Sequence, residues 1–306
     1  MANVLAADKQ RIVLNLLVEG NSLRSVERLT GVQKKTATRL LVRFGQACRQ
    51  FLDEEMRGLT LRHIQCDEIQ TYVAKRQKNL TIKEKETRHE IGEFYLWTAL
   101  DMDTKLVPTF VIGKRSADMA RRLMMDLARR LDMPRPQDWW SESFVKVVQL
   151  STDGFAGYPE AVDLAFGPYC KFGTIAKDYR NADRRPGDYS PAQIISVTRK
   201  ARFGMDESEM DTICTSHVER NNLTIRTFLK RFNRLTICFS KKRENLAAAV
   251  ALCMAFYNFC WRPRYQDWSG QAGRLRVTPA MAAGVTKHLW KFDDLFDEVK
   301  ARYLEW

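Results

Sequence analysis

The sequence predicts an α/β protein in which a mixed sheet flanked by helices follows an all-α N-terminal segment, and three observations carry that prediction. Residues 8–56 hold no proline, are almost free of strand signals, and repeat their apolar residues at helical spacing between well-placed glycines. Residues 61–113 read instead as short β-branched and aromatic runs separated by turn residues. Residues 144–158, FVKVVQLSTDGFAGY, carry an apolar run of Val145, Val147, Val148 and Leu150 that stops at Asp153-Gly154. In open α/β sheets, chemistry collects at the carboxyl ends of such strands, so Asp153 is an active-site candidate as well as a simple turn former.

Composition sets the outer bounds. A chain of 306 residues, 45% of them hydrophobic, is long enough for about two domains and a sizeable core. Its 50 Lys and Arg against 37 Asp and Glu give a net charge of +13, which favours a polyanionic partner and nucleic acid first. Seven cysteines without a C-x-x-C pair argue against a disulfide framework or a zinc knuckle and imply a reducing compartment. The N-terminus shows no basic and apolar leader pattern. Residues 246–261, LAAAVALCMAFYNFCW, fall short of the about 20 residues a membrane span needs and include Asn258, so they predict a buried core helix and no membrane partner.

Within the all-α segment, Ile12, Leu14, Leu16 and Leu17 mark a first helix that Gly20-Asn21 ends. Ser22 follows as an N-cap, then Val26 and Leu29, a Gly31-Val32 turn, and Ala37, Leu40 and Leu41. This is the spacing of a helix-turn-helix, whose second helix enters the major groove; Gln33, Lys34, Lys35, Thr36 and Arg39 would then face bases and phosphates. A three-helix module with a solvated basic face is the alternative.

Alternation over residues 61–73 predicts a strand with Ile64, Cys66 and Glu68 on one face and Gln65, Asp67 and Ile69 on the other, so that only one of Asp67 and Glu68 can serve a given site. The basic stretch from Lys75 to Arg88 reads as a solvated hairpin tip. Strands over 93–101 and 105–113 follow, then a helix capped by Ser116, with Leu123, Leu127 and Leu131 on one face and Arg121, Arg122, Arg129 and Arg130 on another. The strand ending at Asp153, a helix over 158–166 and a strand over 169–175 complete the order of an RNase H-like core, with carboxylates on its first and fourth strands. Pairing those strands in parallel brings Asp67 and Asp153 together, an arrangement of like charges that calls for a cation such as Mg²⁺.

Residues 178–211 are polar, lack a sustained period, and read as an insertion or loop. In residues 215–235, TSHVERNNLTIRTFLKRFNRL, Val218, Ile225, Leu229 and Phe232 share one helical face; Glu219, Arg220, Arg226, Lys230, Arg231 and Arg234 lie on the other. Glu219 is either a third carboxylate heading a basic stripe or, with Ser216, half of a capping box. His217 points away from Glu219 along a helix and reads as structural.

CDE in the first strand, STDGF in the fourth and SHVERNNLTIRTFLKRFNRLTICFSK together resemble the DDE transposases of the insertion-sequence-one family, over about residues 20–290 and including TPAMAAG. The resemblance implies that Asp67, Asp153 and Glu219 hold Mg²⁺ or Mn²⁺, two ions per site, for strand cleavage and strand transfer on double-stranded DNA at element ends and targets. It implies a homodimer or higher homo-oligomer on DNA, in the bacterial cytoplasm with the nucleoid. Members of that family commonly carry a cysteine zinc finger, whereas this chain has only Cys48 before Cys66, and no zinc is expected. The expected organisation is a helix-turn-helix domain over 1–57, an RNase H-like catalytic domain over 58–261 with its insertion, and a C-terminal tail over 262–306. The tail carries a Thr278-Pro279 helix start and an amphipathic stretch with Trp290, Phe292, Leu295 and Phe296. A regulatory or domesticated DNA-binding protein, and a nuclease without strand transfer, are the other readings.

Overall fold

The computed structural model describes residues 4–133, 148–180, 193–233, 236–263 and 277–304. Its first three helices are α1 (Ala7–Val18), α2 (Leu23–Thr30) and α3 (Lys34–Glu55). The Ser22 hydroxyl accepts the Ser25 N–H at 3.1 Å and starts α2, while Gly31, at φ 71, ends it in the left-handed conformation that glycine adopts at least cost. Val26, Ala37, Leu40 and Leu41 are buried as the spacing requires. Two apolar positions face solvent instead: Leu29 is 66% exposed and Ile12 53%, the inward stripe of α1 running through Val13, Leu14 and Val18.

Among the described residues, six strands form one mixed sheet: β1 (His63–Val73), β2 (Gly92–Asp101), β3 (Thr109–Gly113), β4 (Val148–Thr152), β5 (Cys170–Arg180) and β6 (Gln193–Phe203), in the order β3-β2-β1-β4-β5-β6. The first three are antiparallel neighbours, β4 runs parallel to both β1 and β5, and β6 returns antiparallel to β5. This α/β arrangement is consistent with an RNase H-like core. Between β1 and β2, the basic stretch folds into a short helix, α4 (Ile82–Thr87), closed by a Thr81/Glu84 capping box.

The sixth strand is absent from the sequence expectation, which assigned 178–211 to an insertion. Ile194, Ile195 and Val197 are all exposed on this edge strand, so neither face carries the buried alternation that marks a strand in sequence. Val145, Val147, residues 181–192 and Arg234 lie outside the described residues.

Helices α5 (Ala117–Arg130) and α6 (Tyr158–Phe166) cover the sheet face of Cys66 and Glu68, where Tyr158 packs edge-on against Trp97. Arg130 departs from the solvated face expected of it. Its side chain is 3% exposed and ties α5 to α3 through Asp53 at 2.6 Å, held in place by Asp126 of its own helix at 2.9 Å. On the opposite face lies α7 (Ser216–Phe228), followed by a 3-10 turn over Lys230–Phe232. Val218, Ile225, Leu229 and Phe232 are buried as expected; Arg231 turns inward as well, donating to Ser240 Oγ at 2.7 Å and the Asn245 carbonyl at 3.1 Å.

The apolar segment becomes the core helix α8 (Arg243–Phe259), with Asn258 clamping both backbone polar groups of Val107. Among the described residues, no helix is long and apolar enough to cross a membrane. After the short α9 (Pro279–Ala282), α10 (Phe292–Tyr303) docks on the N-terminal helices, stacking Phe296 on Phe44 with ring centroids 5.4 Å apart. One cluster of buried residues runs from α1 through the sheet to α10.

Candidate active site

The parallel register of β1 and β4 sets Cys66 beside Thr152, and the next residue of each strand is an acid, Asp67 and Asp153. Asp153 forms the turn foreseen for it and also meets a cation. Its Oδ1 accepts the Phe155 N–H at 3.0 Å, holding the turn, while its Oδ2 lies 3.1 Å from Arg115 Nη2.

Gln65 positions the next carboxylate. Its Oε1 accepts the His217 and Val218 N–H groups, each at 3.0 Å, which satisfies two donors at the start of α7 and fastens that helix to β1. Glu219, in this first turn, accepts the Thr215 hydroxyl at 2.7 Å and pairs with Lys177 of β5. The capping box is not formed: Thr215 is the N-cap, and Ser216 is the first helical residue with its hydroxyl 2.9 Å from Cys214 Sγ. Asn222, one turn further on, donates to Asp67 Oδ2 at 2.6 Å. His217 faces elsewhere, 3.0 Å from Lys105 Nζ; an ammonium only donates, so Nδ1 is the acceptor. Burial and Lys105 hold its pKa below the ordinary value, in keeping with a neutral ring.

Asp67, Glu68, Asp153, Glu219, Lys177, Asn222, Arg115 and Arg226 line one open cleft of ≈ 730 Å³. Here the expectation that Asp67 and Glu68 cannot share a site fails. The two side chains do leave opposite faces of β1, Asp67 toward α7 and Glu68 toward Arg115 and Tyr158. Asp153, however, lies past the last paired residue of β4, and one carboxylate oxygen from each of the three residues falls within 4.8 Å of the others.

Such crowding is costly to ionise. Burial above all pushes the Asp67 carboxyl up to about 6, with Asp153 and Glu219 adding to the rise and Arg226 opposing it. Burial and then the Asp153 charge push Glu68 up to about 7, against the pull of the Tyr158 hydroxyl and Arg115. The Tyr158 hydroxyl is near enough to favour the Glu68 carboxylate, yet the pair falls outside hydrogen-bond geometry, and Glu68 Oε1 is buried without a partner. An all-carboxylate donor set with a spare buried oxygen suits a hard divalent cation, Mg²⁺ or Mn²⁺.

The remaining candidate residues divide. Arg226 reaches the cleft, whereas Arg220 is exposed outside it, and Lys230 borders a separate cavity beside the α1–α2 junction at Gly20 and Asn21. Gln33, Lys34, Lys35 and Arg39 are exposed and Thr36 half-buried at the start of α3; none lines the cleft. Glu68, Arg115, Lys177 and Asn222 belong to the cleft without having been foreseen there. Only Glu68 carried a signal in sequence, as the acid adjoining Asp67.

No curated protein matches this chain. Residues 198–254, which run from β6 through α7 into α8 and include Glu219, match the family described as IS1 transposase, and this partial match supports a transposase of that kind.

Proposed function

We propose that the protein is a DNA transposase that binds insertion-sequence ends and carries out divalent-cation-dependent strand cleavage and strand transfer. The observation that carries this reading is that Asp67, within β1, and Asp153, just past the end of the parallel strand β4, share one cleft with Glu219, on a helix inside the segment that matches IS1 transposases. Asp67, Asp153 and Glu219 are the residues that would hold Mg²⁺ or Mn²⁺, as two ions. When bound, such ions supply Lewis-acid stabilisation of the phosphoryl oxygens and make water or a 3′-hydroxyl a competent nucleophile at neutral pH.

The chain's own residues do the positioning. Asn222 fixes the Asp67 carboxylate, Gln65 fixes the start of α7 and with it Glu219, and Lys177 and Arg226 place positive charge in the cleft for a phosphodiester. A second cavity shares Glu68 and Arg226 with the cleft and extends past Tyr72, Arg76 and Lys78, a basic trough suited to a DNA strand leaving the site. Gln33, Lys34, Lys35, Thr36 and Arg39 at the exposed start of α3 are assigned to end recognition in the major groove, and Arg220, Arg226 and Lys230 to the DNA backbone.

The test is a strand-transfer assay with Mg²⁺ and a labelled duplex carrying the element end. Wild type should cut and join it; Asp67→Asn and Asp153→Asn should bind it and leave it intact. Cleavage retained by either variant would remove the assignment.

A further inference from the structure

Glu68 has no role in the three-acid reading, yet its environment is unusual for a spare residue. It sits within the central strand β1 with its side chain 3% exposed, next in sequence to Asp67 and close to Asp153, which lies just past the end of β4. Arg115 approaches one of its oxygens, Nη2 to Oε2, at 3.5 Å, a distance at the outer edge of direct contact; the same nitrogen lies closer to Asp153, at 3.1 Å. The other oxygen, Oε1, is buried and makes no hydrogen bond among the described residues; the Tyr158 hydroxyl favours the carboxylate but, itself without a hydrogen bond, does not close one to it. A buried carboxylate oxygen without a donor carries the full cost of its lost hydration, and an acid held in such a place calls for a compensating ligand.

Glu219 differs from it in each respect. Its side chain is 43% exposed, it is paired with Lys177, and it accepts the Thr215 hydroxyl. The group of carboxylates already gathered to within 4.8 Å is Asp67, Glu68 and Asp153, without Glu219. We propose that Glu68 is a ligand of the divalent cation, completing with Asp67 and Asp153 a three-carboxylate cage to which Glu219 is additional. The inference rests on the cation-dependent reading above and changes its ligand set: the acid beside Asp67 binds the ion directly. Unlike a structural partner for Arg115, a ligand puts Glu68 under the control of the cation, and this is what the experiment reads.

The full-length chain is titrated with Mn²⁺ by calorimetry, and its melting temperature is followed with and without the ion, for wild type, Asp67→Asn, Asp153→Asn, Glu68→Gln and Glu68→Asp. Glu68→Gln keeps the shape of the side chain, and Glu68→Asp keeps its charge but withdraws the oxygens by one methylene. Both are expected to bind Mn²⁺ at least about tenfold more weakly, since loss of residues that merely support metal ligands already costs about 10–100-fold. Glu68→Gln should also melt at or above wild type in cation-free buffer and lose the rise in melting temperature that Mn²⁺ gives wild type. Wild-type Mn²⁺ affinity in either folded Glu68 variant, with binding lost in Asp67→Asn and Asp153→Asn, overturns the proposal, reduces Glu68 to a counter-ion of Arg115, and leaves the transposase reading standing. Wild-type affinity in all four variants removes the cation site itself, and with it both readings.

Discussion

At the scale of single residues, the cleft is a place where negative charge is concentrated against its own preference, and that has a measurable sign. The Asp67 and Glu68 carboxyls, ordinarily at 3.8 and 4.5, are pushed up to about 6 and about 7, chiefly by burial. The folded chain therefore binds more protons than the unfolded one between those values, and the stability this confers is fully present below about pH 4 and lost as pH rises through about 7. Urea unfolding in EDTA should show Glu68→Gln gaining on wild type by roughly 1.4 kcal/mol for each tenfold change in proton affinity, so by a few kcal/mol between pH 4 and pH 8. A difference that stays flat across that range would mean the carboxylates are not held together as described. Glu219 and Ser216 make a second residue-scale test. Because Ser216 is exposed and caps nothing, Ser216→Ala should change stability by no more than about 0.5 kcal/mol and leave cleavage intact. Glu219→Gln should remain folded, its hydrogen bond from Thr215 preserved, and lose strand cleavage in a Mg²⁺ assay; near wild-type cutting would assign the third ligand elsewhere.

Elements were legible in the sequence where one face is buried and obscured where burial is absent or is made by charged groups. Alternation in 61–73 and the abrupt stop at Asp153 revealed the parallel strand pair because those strands are central, and Ser22, Ser116 and Thr278 each accept the N–H three residues on, as caps do. Edge strand β6 left no such mark, with Ile194, Ile195 and Val197 all in solvent. Arg130 and Arg231 looked like members of solvated stripes; their burial depends on Asp53 and Ser240, partners that no local pattern announces. The rule of alternating faces allows only one of Asp67 and Glu68 into a site; it holds within a strand and lapses where Asp153 continues past the end of β4. The α2–α3 element permits two further expectations. Gly31 has open space around a would-be Cβ but a φ of +71, so Gly31→Ala should destabilise through backbone strain alone, by about 1 kcal/mol in urea unfolding. Replacing Lys35 and Arg39 with alanine should weaken binding to element ends and flatten its salt dependence by about one unit of slope for each phosphate no longer neutralised. Lys34→Ala should do less, because its Nζ is already 3.5 Å from Glu27. An unchanged slope in the double variant would return this helix to the role of a solvated basic face.

Across the whole molecule, α3 occupies two positions at once: its first turn is the exposed, basic end assigned to DNA, and its remaining turns pack along α8 in the same hydrophobic cluster as the sheet. The two helices approach closely at Gly45, where a Cβ would stand 2.3 Å from the Ala248 carbonyl oxygen and 2.6 Å from its Cα, both backbone atoms that cannot swing aside. Alanine is the better helix former by about 1 kcal/mol, so in an isolated three-helix module Gly45→Ala would stabilise. In the packed molecule the added methyl must push α3 off α8, and with it disturb the packing of Phe51 on Phe259 and of Phe44 on Phe296. Overpacking of this kind costs about 1–3 kcal/mol or more, enough to exceed the propensity gain. Gly45→Ala should therefore lower the midpoint of a single calorimetric transition that includes helices and sheet together, with end binding weakened through the displaced start of α3 and Mn²⁺ affinity at the cleft little changed. Two separate transitions, the first raised and the second unmoved by the substitution, would show instead that α1–α3 fold as a unit of their own and that their seam with α8 contributes nothing to stability.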